Sequence, residues 1–179
     1  MNDSRTTTLR TRLFGFLGSQ PEPDSIEAIL QGIPIFEDLS RRELAAIERI
    51  LHEREYQTDE VIFRQDEPGM GMYIIASGTV TIVSEPSSMK WSELGRGEFF
   101  GELALLDEHP RSATAVAKTP CKILGFFQPD LFALIDRNPR LGVKIVIRLA
   151  RMIGARLRRA NEQALSIVEE LHKAKKIQQ

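Results

Sequence analysis

The spacing of apolar residues changes character several times along this chain. Between Arg41 and His52, Leu44, Ile47, Ile50 and Leu51 recur at helical intervals. Ser40 precedes them as a predicted N-cap, and Glu43, three residues on, completes a capping box. A shorter cluster at Ile26–Gln31 predicts another helix, followed by a turn at Gly32–Phe36. From Arg54 to Phe127 the pattern becomes that of short strands. Candidates are Val61–Phe63, Met72–Ala76, Thr79–Val83, Met89–Leu94, Ala113–Ala117 and Cys121–Phe127, punctuated by Gly69, Gly71, Gly78, Gly95 and Gly97. Short strands at this spacing predict an all-β roll or barrel.

Helical periodicity then returns. Pro129 to Asp136 predicts a short helix with Pro at an early position. A long helix is expected from about Pro139 to Lys175. Two interleaved sets along it keep a seven-residue step: Val143, Ala150, Leu157, Ala164, Leu171, and Val146, Ile153, Ala160, Ile167, Ala174. Such a stripe needs cover. Its first half can pack on the roll, whereas its second half runs beyond any later element, so a parallel homodimer through this helix is expected. Arg148, Arg151, Arg156, Arg158 and Arg159 also crowd the helix. Without interleaved aromatics or a groove-entering motif they read as a solvated face with acidic partners, and DNA is not the expected partner.

Three regions follow: an N-terminal arm over 1–24, a β-roll with flanking helices over 25–138, and the long C-terminal helix over 139–179. The arm is rich in Ser, Thr and Arg and closes on Gln20-Pro21-Glu22-Pro23-Asp24, a linker-like boundary. Its apolar stretch, Leu13 to Leu17, is interrupted by Gly15 and too short for a secretory signal. A net charge of −1 and a pI near 6.3 give no overall basic field. Cys121 is the single cysteine, which excludes an internal disulfide and fits a reducing cytoplasm. His52, His109 and His172 are too scattered for a metal cluster, and no run approaches a membrane span.

The chemistry concentrates in residues 99–115, Phe-Phe-Gly-Glu-Leu-Ala-Leu-Leu-Asp-Glu-His-Pro-Arg-Ser-Ala-Thr-Ala. Gly101 lacks a Cβ and permits close approach of a ligand to the backbone. Leu103 to Leu106 predict one apolar helical turn whose free N–H groups suit an anion. Nine residues after Glu102, Arg111 offers a planar fork of donors for two phosphate oxygens. Ionised Glu102 can only accept hydrogen bonds, which suits a sugar hydroxyl. Ser112 and the backbone near Ala104 supply further donors. His109 reads as a solvated turn residue. Taken alone, Glu102 and Arg111 would be an ordinary surface ion pair.

The whole string, however, resembles the phosphate-binding cassette of cyclic-nucleotide-binding domains, found in catabolite gene activators, cyclic AMP-dependent kinase regulatory subunits and nucleotide-gated channels. Gly71-Met72-Tyr73-Ile74-Ile75-Ala76-Ser77-Gly78 resembles a second recurring signature of that family. The resemblance, over residues 33 to about 170, implies an α+β, mainly β fold: a β-roll of the double-stranded, jelly-roll type, with N-terminal helices and a long C-terminal helix. It implies that Glu102 holds the ribose 2′-OH, that Arg111 and Ser112 hold the phosphate, and that Gly101, Leu103 and Ala104 frame it. It also places Ile82, Trp91 and Ser92 around the sugar and base, and Arg156 and Asn161 where the long helix faces the base.

The implied ligand is cyclic AMP, with cyclic GMP as the alternative, because Ser112 replaces the threonine that often accompanies guanine preference. The expected protein is a regulatory sensor with an unidentified protein partner, not an enzyme. A ligand-independent scaffold and the sensor part of a transcription regulator are the alternatives. The activators continue into a helix-turn-helix domain that has no counterpart before Gln179.

Overall fold

A computed structural model describes residues 25–84, 89–107 and 109–177. The expected arm over 1–24, with Leu13–Leu17, lies outside the described residues. Two short helices open the fold, α1 (Ile26–Gln31) and α2 (Arg41–Glu48). Eight strands follow: β1 (His52–Tyr56), β2 (Val61–Phe63), β3 (Gly71–Ser77), β4 (Val80–Ser84), β5 (Met89–Leu94), β6 (Phe99–Phe100), β7 (Thr114–Ala117) and β8 (Cys121–Phe127). A single 3-10 turn, Glu102–Leu105, interrupts them, and α3 (Gln128–Arg137) and α4 (Pro139–Ile177) close the chain.

The strands form two four-stranded antiparallel sheets, ordered β1-β8-β3-β6 and β2-β7-β4-β5. They face each other as a β-roll, as the strand spacing predicts. Alternation along β3 assigns the two cores, because successive residues point to opposite faces. Ile75 points into the roll with Val80, Phe100, Ala115, Ala117 and Ile123. Met72 and Ile74 point outward, to a second core shared with Phe126 of β8 and with Leu30, Phe36, Leu44, Ile47, Leu131 and Leu141 of the helices and their turns. Each fully buried Leu, Ile or Phe contributes about 1.5–3 kcal/mol of transfer free energy.

The capping box of α2 forms as expected: Ser40 accepts from the Glu43 N–H, and Glu43 accepts from the Ser40 N–H at 2.7 Å. The helix ends at Glu48, however, and the expectation that it reaches His52 fails. His52 to Tyr56 instead pair with β8, from His52 opposite Gly125 to Tyr56 opposite Cys121. The local sequence His-Glu-Arg-Glu-Tyr shows no apolar alternation, since this edge strand exposes every residue but Tyr56. The two-residue strand β6 is likewise too short to announce itself.

Helix α4 buries Leu141, Ile145 and Leu149 against the second core, with Val146, Met152 and Ile153 partly covered at the margin. This corrects the expected pairing of heptad sets. Val146 and Ile153 belong to the domain's own core, while Val143 (52% exposed) and Leu157 (61% exposed) face solvent. The basic residues of the first half find acidic partners: Lys144 Nζ pairs with Glu43 Oε2 at 3.5 Å and also donates to the Asp38 backbone carbonyl at 2.6 Å, and Arg148 pairs with the Asp38 carboxylate. No helix among the described residues is long and apolar enough to cross a membrane.

Candidate ligand-binding site

A cavity of about 590 Å³ opens on the second sheet, bounded by the 3-10 turn and the loop that leads to Arg111. Gly101, Glu102, Leu103, Ala104, Arg111 and Ser112 line it, together with Ile82, Trp91, Ser92 and Arg156. Ten of the eleven residues named from the sequence therefore converge on one space. Asn161 does not line it and stands exposed on α4. It lies five residues beyond Arg156 and so about 140° round the helix, which prevents both side chains from facing one cavity of the same chain.

Arg111 is 6% exposed, which is unusual for a cation. Its Nη1 donates to the carbonyls of Gly71 (2.8 Å) and Gly101 (3.1 Å), and its guanidinium lies over the Phe63 ring at 4.2 Å. Burial lowers its pKa below the ordinary guanidinium value, opposed by Tyr73, Glu102 and Glu67. It remains a cation at neutral pH. Among the described residues its Nε has no hydrogen-bond partner. The site thus holds a buried positive charge with donor capacity left over, an arrangement that an incoming anion stabilises.

The approach of the backbone to this guanidinium is close. Gly101 has φ +73°, and a Cβ built there would lie 2.6 Å from Arg111 Nη1. A Cβ at Gly69 would lie 2.7 Å from that of Ala104 and 3.2 Å from Arg111 Nε. Only hydrogen fits at either position.

The buried carboxylate of the cavity is Glu102, whose side chain is 8% exposed, against 43% for Asp107 on the same wall. Arg156 Nη1, reaching in from α4, donates to Glu102 Oε1 at 2.5 Å, and its guanidinium lies 4.7 Å over the Phe99 ring. The remaining walls divide by chemistry. Trp91, 53% exposed on β5, forms an aromatic rim near Ile82 and Leu94, while Asp107, His109 and Ser112 add polar groups.

His109, read from sequence as a solvated turn residue, is exposed yet lines the cavity. Phe63, Tyr73 and the carbonyl of Gly71 were missed as supports for Arg111. Their only sequence signal was apolar alternation in strands, which does not reveal which ring a distant cation will meet. Among the described residues, no group of three or more His, Cys, Asp or Glu is placed to hold a metal ion.

Residues 53–138 match the family model of the cyclic nucleotide-binding domain. The chain is 36% identical over 127 residues to the cyclic AMP receptor protein of Thermus thermophilus, covering 69% of this chain and 59% of that protein. It is 36% identical over 97 residues to a cAMP-dependent protein kinase regulatory subunit of Aspergillus fumigatus, covering 54% of this chain and 24% of the subunit. Its fold superposes on the crystal structure of the Thermus thermophilus catabolite activator protein with a TM-score of 0.66 and 34% identity, over 74% of this chain and 62% of that one. The chain thus spans less than two thirds of each of these relatives. Residues 53–138 of this chain are thus a cyclic nucleotide-binding domain, similar to those of the catabolite activators and kinase regulatory subunits.

Proposed function

We propose that this chain is a cyclic nucleotide sensor of the cytoplasm, one that binds its ligand without transforming it and relays occupancy through α4 to a protein partner. The observation that carries the reading is the buried Arg111 cation, propped by two glycine carbonyls and an aromatic ring beside a cavity that also contains a carboxylate. In this reading Arg111 and Ser112 hold the cyclic phosphate, and Gly101, Leu103 and Ala104 shape the backbone around it. Glu102 accepts from the ribose 2′-OH. Ile82, Trp91 and Ser92 flank the sugar and base. Among the described residues, no hydroxyl lining the cavity hydrogen-bonds to a base, and tight ground-state binding of a phosphate diester does not by itself accelerate its hydrolysis.

Arg156 connects ligand to output. Its ion pair with Glu102 is made from α4, so a hydroxyl that draws on the same carboxylate changes what holds the helix over the cavity. Ligand occupancy then shifts an equilibrium between helix positions. The organisation proposed is an arm over 1–24, a sensing domain over 25–138 and an output helix over 139–179 that pairs with a second copy. Two relatives, named as a cyclic AMP receptor and a cAMP-dependent regulatory subunit, favour cyclic AMP over cyclic GMP, as does Ser112 directly after Arg111.

The deciding experiment titrates cyclic AMP and cyclic GMP into the purified chain by calorimetry, with Trp91 fluorescence as a second signal. Saturable binding of both, tighter for cyclic AMP, is expected. Equal affinities would remove the base preference. No heat and no fluorescence change at millimolar concentrations of either would overturn the sensor reading.

A further inference from the structure

The loop that carries the chain from the 3-10 turn to Arg111 is pinned at both ends. At its start the Asp107 N–H donates to the Leu103 carbonyl at 3.1 Å. At its end Pro110 forms a bridge with Pro68, and the Arg111 N–H donates to the Glu67 carbonyl at 2.9 Å. His109 stands between these anchors, on the wall of the cavity, with its side chain 86% exposed. The backbone therefore fixes its place relative to Arg111, while its ring stays in contact with water.

The ring has one charged neighbour on its own loop. Nδ1 lies 3.5 Å from Asp107 Oδ2, and the His109 N–H donates to Asp107 Oδ1 at 3.4 Å. A carboxylate only accepts, so it holds the ring proton on Nδ1. In the neutral imidazole Nε2 then carries a lone pair and repels a phosphate oxygen. In the imidazolium Nε2 carries a proton as well, and donates. The other charged groups on the wall are already engaged: Glu102 of the 3-10 turn and Arg156 of α4 pair with each other, and Arg111 is the buried cation. Strands β4 and β5 contribute Ile82, Trp91, Ser92 and Leu94, none of which ionises in this range.

We propose that His109 is a further ligand-binding residue that works only as the imidazolium: it donates to the anion held by Arg111, so the chain binds its nucleotide more tightly as the solution acidifies. The proposal rests on the cyclic nucleotide reading above and adds a linked proton to it. The sign follows from charge. A cyclic phosphate diester stays negative across the range in which imidazole gains or loses its proton, about pH 5 to 8. The imidazolium attracts that charge and offsets Asp107, which repels it. Binding therefore draws a proton onto His109, and affinity is lost as the pH rises through the imidazole range. The contact is exposed, so the change in affinity is about two- to fivefold. Arg111, charged throughout, supplies the larger part of the attraction.

The test titrates cyclic AMP into the full chain by calorimetry at about pH 5.5 and about pH 8, at one ionic strength, and at about pH 6.5 in two buffers of different ionisation enthalpy. The wild type is expected to bind about two- to fivefold more tightly at the lower pH and to take up a fraction of a proton on binding. His109→Gln should bind with one affinity at both pH values and take up none. His109→Lys should keep the tighter affinity at both, because an ammonium stays charged across this range. A histidine that merely shaped the loop would show neither the proton uptake nor the rescue by lysine. His52→Gln should retain the wild-type profile, since His52 pairs with Asp130 and does not line this cavity. Circular dichroism checks the fold of every variant.

Equal affinities at the two pH values without proton uptake in the wild type would overturn the proposal. So would an unchanged pH dependence in His109→Gln. Either result leaves the sensor reading standing. A chain that binds neither cyclic AMP nor cyclic GMP at any of these pH values, up to millimolar concentrations, overturns the sensor reading itself and the proposal with it.

Discussion

Arg156 and Glu102, 54 residues apart, meet at 2.5 Å between the long helix and the 3-10 turn of the cassette. Glu102 is nearly buried while Arg156 is 46% exposed at its side chain, so the pair is asymmetric: removing the arginine strands a carboxylate that water barely reaches. Among the described residues, Arg156 is its hydrogen-bond partner.

Arg156→Ala is therefore expected to lower the melting temperature of the ligand-free chain. The partly exposed pair limits the loss to about 1 kcal/mol, or roughly 2–4 °C for a chain of this size. Saturating cyclic AMP should recover more of the melting temperature in the variant than in the wild type, because the ribose hydroxyl supplies the missing donor. Differential scanning calorimetry with and without nucleotide reads both quantities, and an equal ligand-induced shift in the two proteins would refute the competition at Glu102.

Arg111→Ala removes the cation that the cavity is built around. A lost bidentate, charge-assisted contact is worth about 3 kcal/mol, which predicts a fall in cyclic AMP affinity of roughly a hundredfold or more. Arg111→Lys should recover little, since a point charge does not reproduce the planar fork. Calorimetric affinity is the measurement, with far-ultraviolet circular dichroism as the check on folding. Wild-type affinity in either variant contradicts the assignment of Arg111 to the phosphate.

Gly101→Ala tests the fit of backbone to guanidinium. The new Cβ meets Arg111 Nη1 at 2.6 Å while φ stays at +73°, so strain and displacement act together. A backbone penalty of about 1–3 kcal/mol is expected, along with weakened nucleotide binding. Chemical denaturation and calorimetry report the two effects. Unchanged values in both would mean the loop relaxes freely, against the tight packing described.

Glu43 makes the stability of the N-terminal helices depend on pH. Its carboxylate accepts from the Ser40 backbone and hydroxyl, with Lys144 nearby, and its pKa falls below the ordinary value of 4.5. A depressed folded-state pKa stabilises the fold above pH 4.5, and this contribution is lost as the pH drops through the folded value. Glu43→Gln should remove it at neutral pH and flatten the acid limb of the stability profile below 4.5. Denaturation followed from about pH 3 to about pH 7, a range that brackets the carboxylate, would show parallel curves if Glu43 is uninvolved.

Adjacent residues carried most of what was legible beforehand. The α2 capping box, six of the eight strands and the cassette string each rest on local chemistry: a cap, an alternation, a glycine before a carboxylate. Strand β1 was not legible, because an exposed edge strand needs no apolar alternation and its pairing with β8 is a contact across the chain. The packing of Phe63 and Tyr73 on Arg111 escaped for the same reason.

By itself, the sequence determined the presence of a roll and the cassette string with Gly101, Glu102, Arg111 and Ser112, because those follow from local spacing and residue type, whereas Ile82, Trp91, Ser92 and Arg156 came from the family resemblance alone. Only the tertiary structure decided which stripe of α4 the domain covers. That choice depends on where the helix lands on the sheet, and it assigned Val146 and Ile153 to the core, aimed Arg156 at Glu102 and left Asn161 outside the cavity.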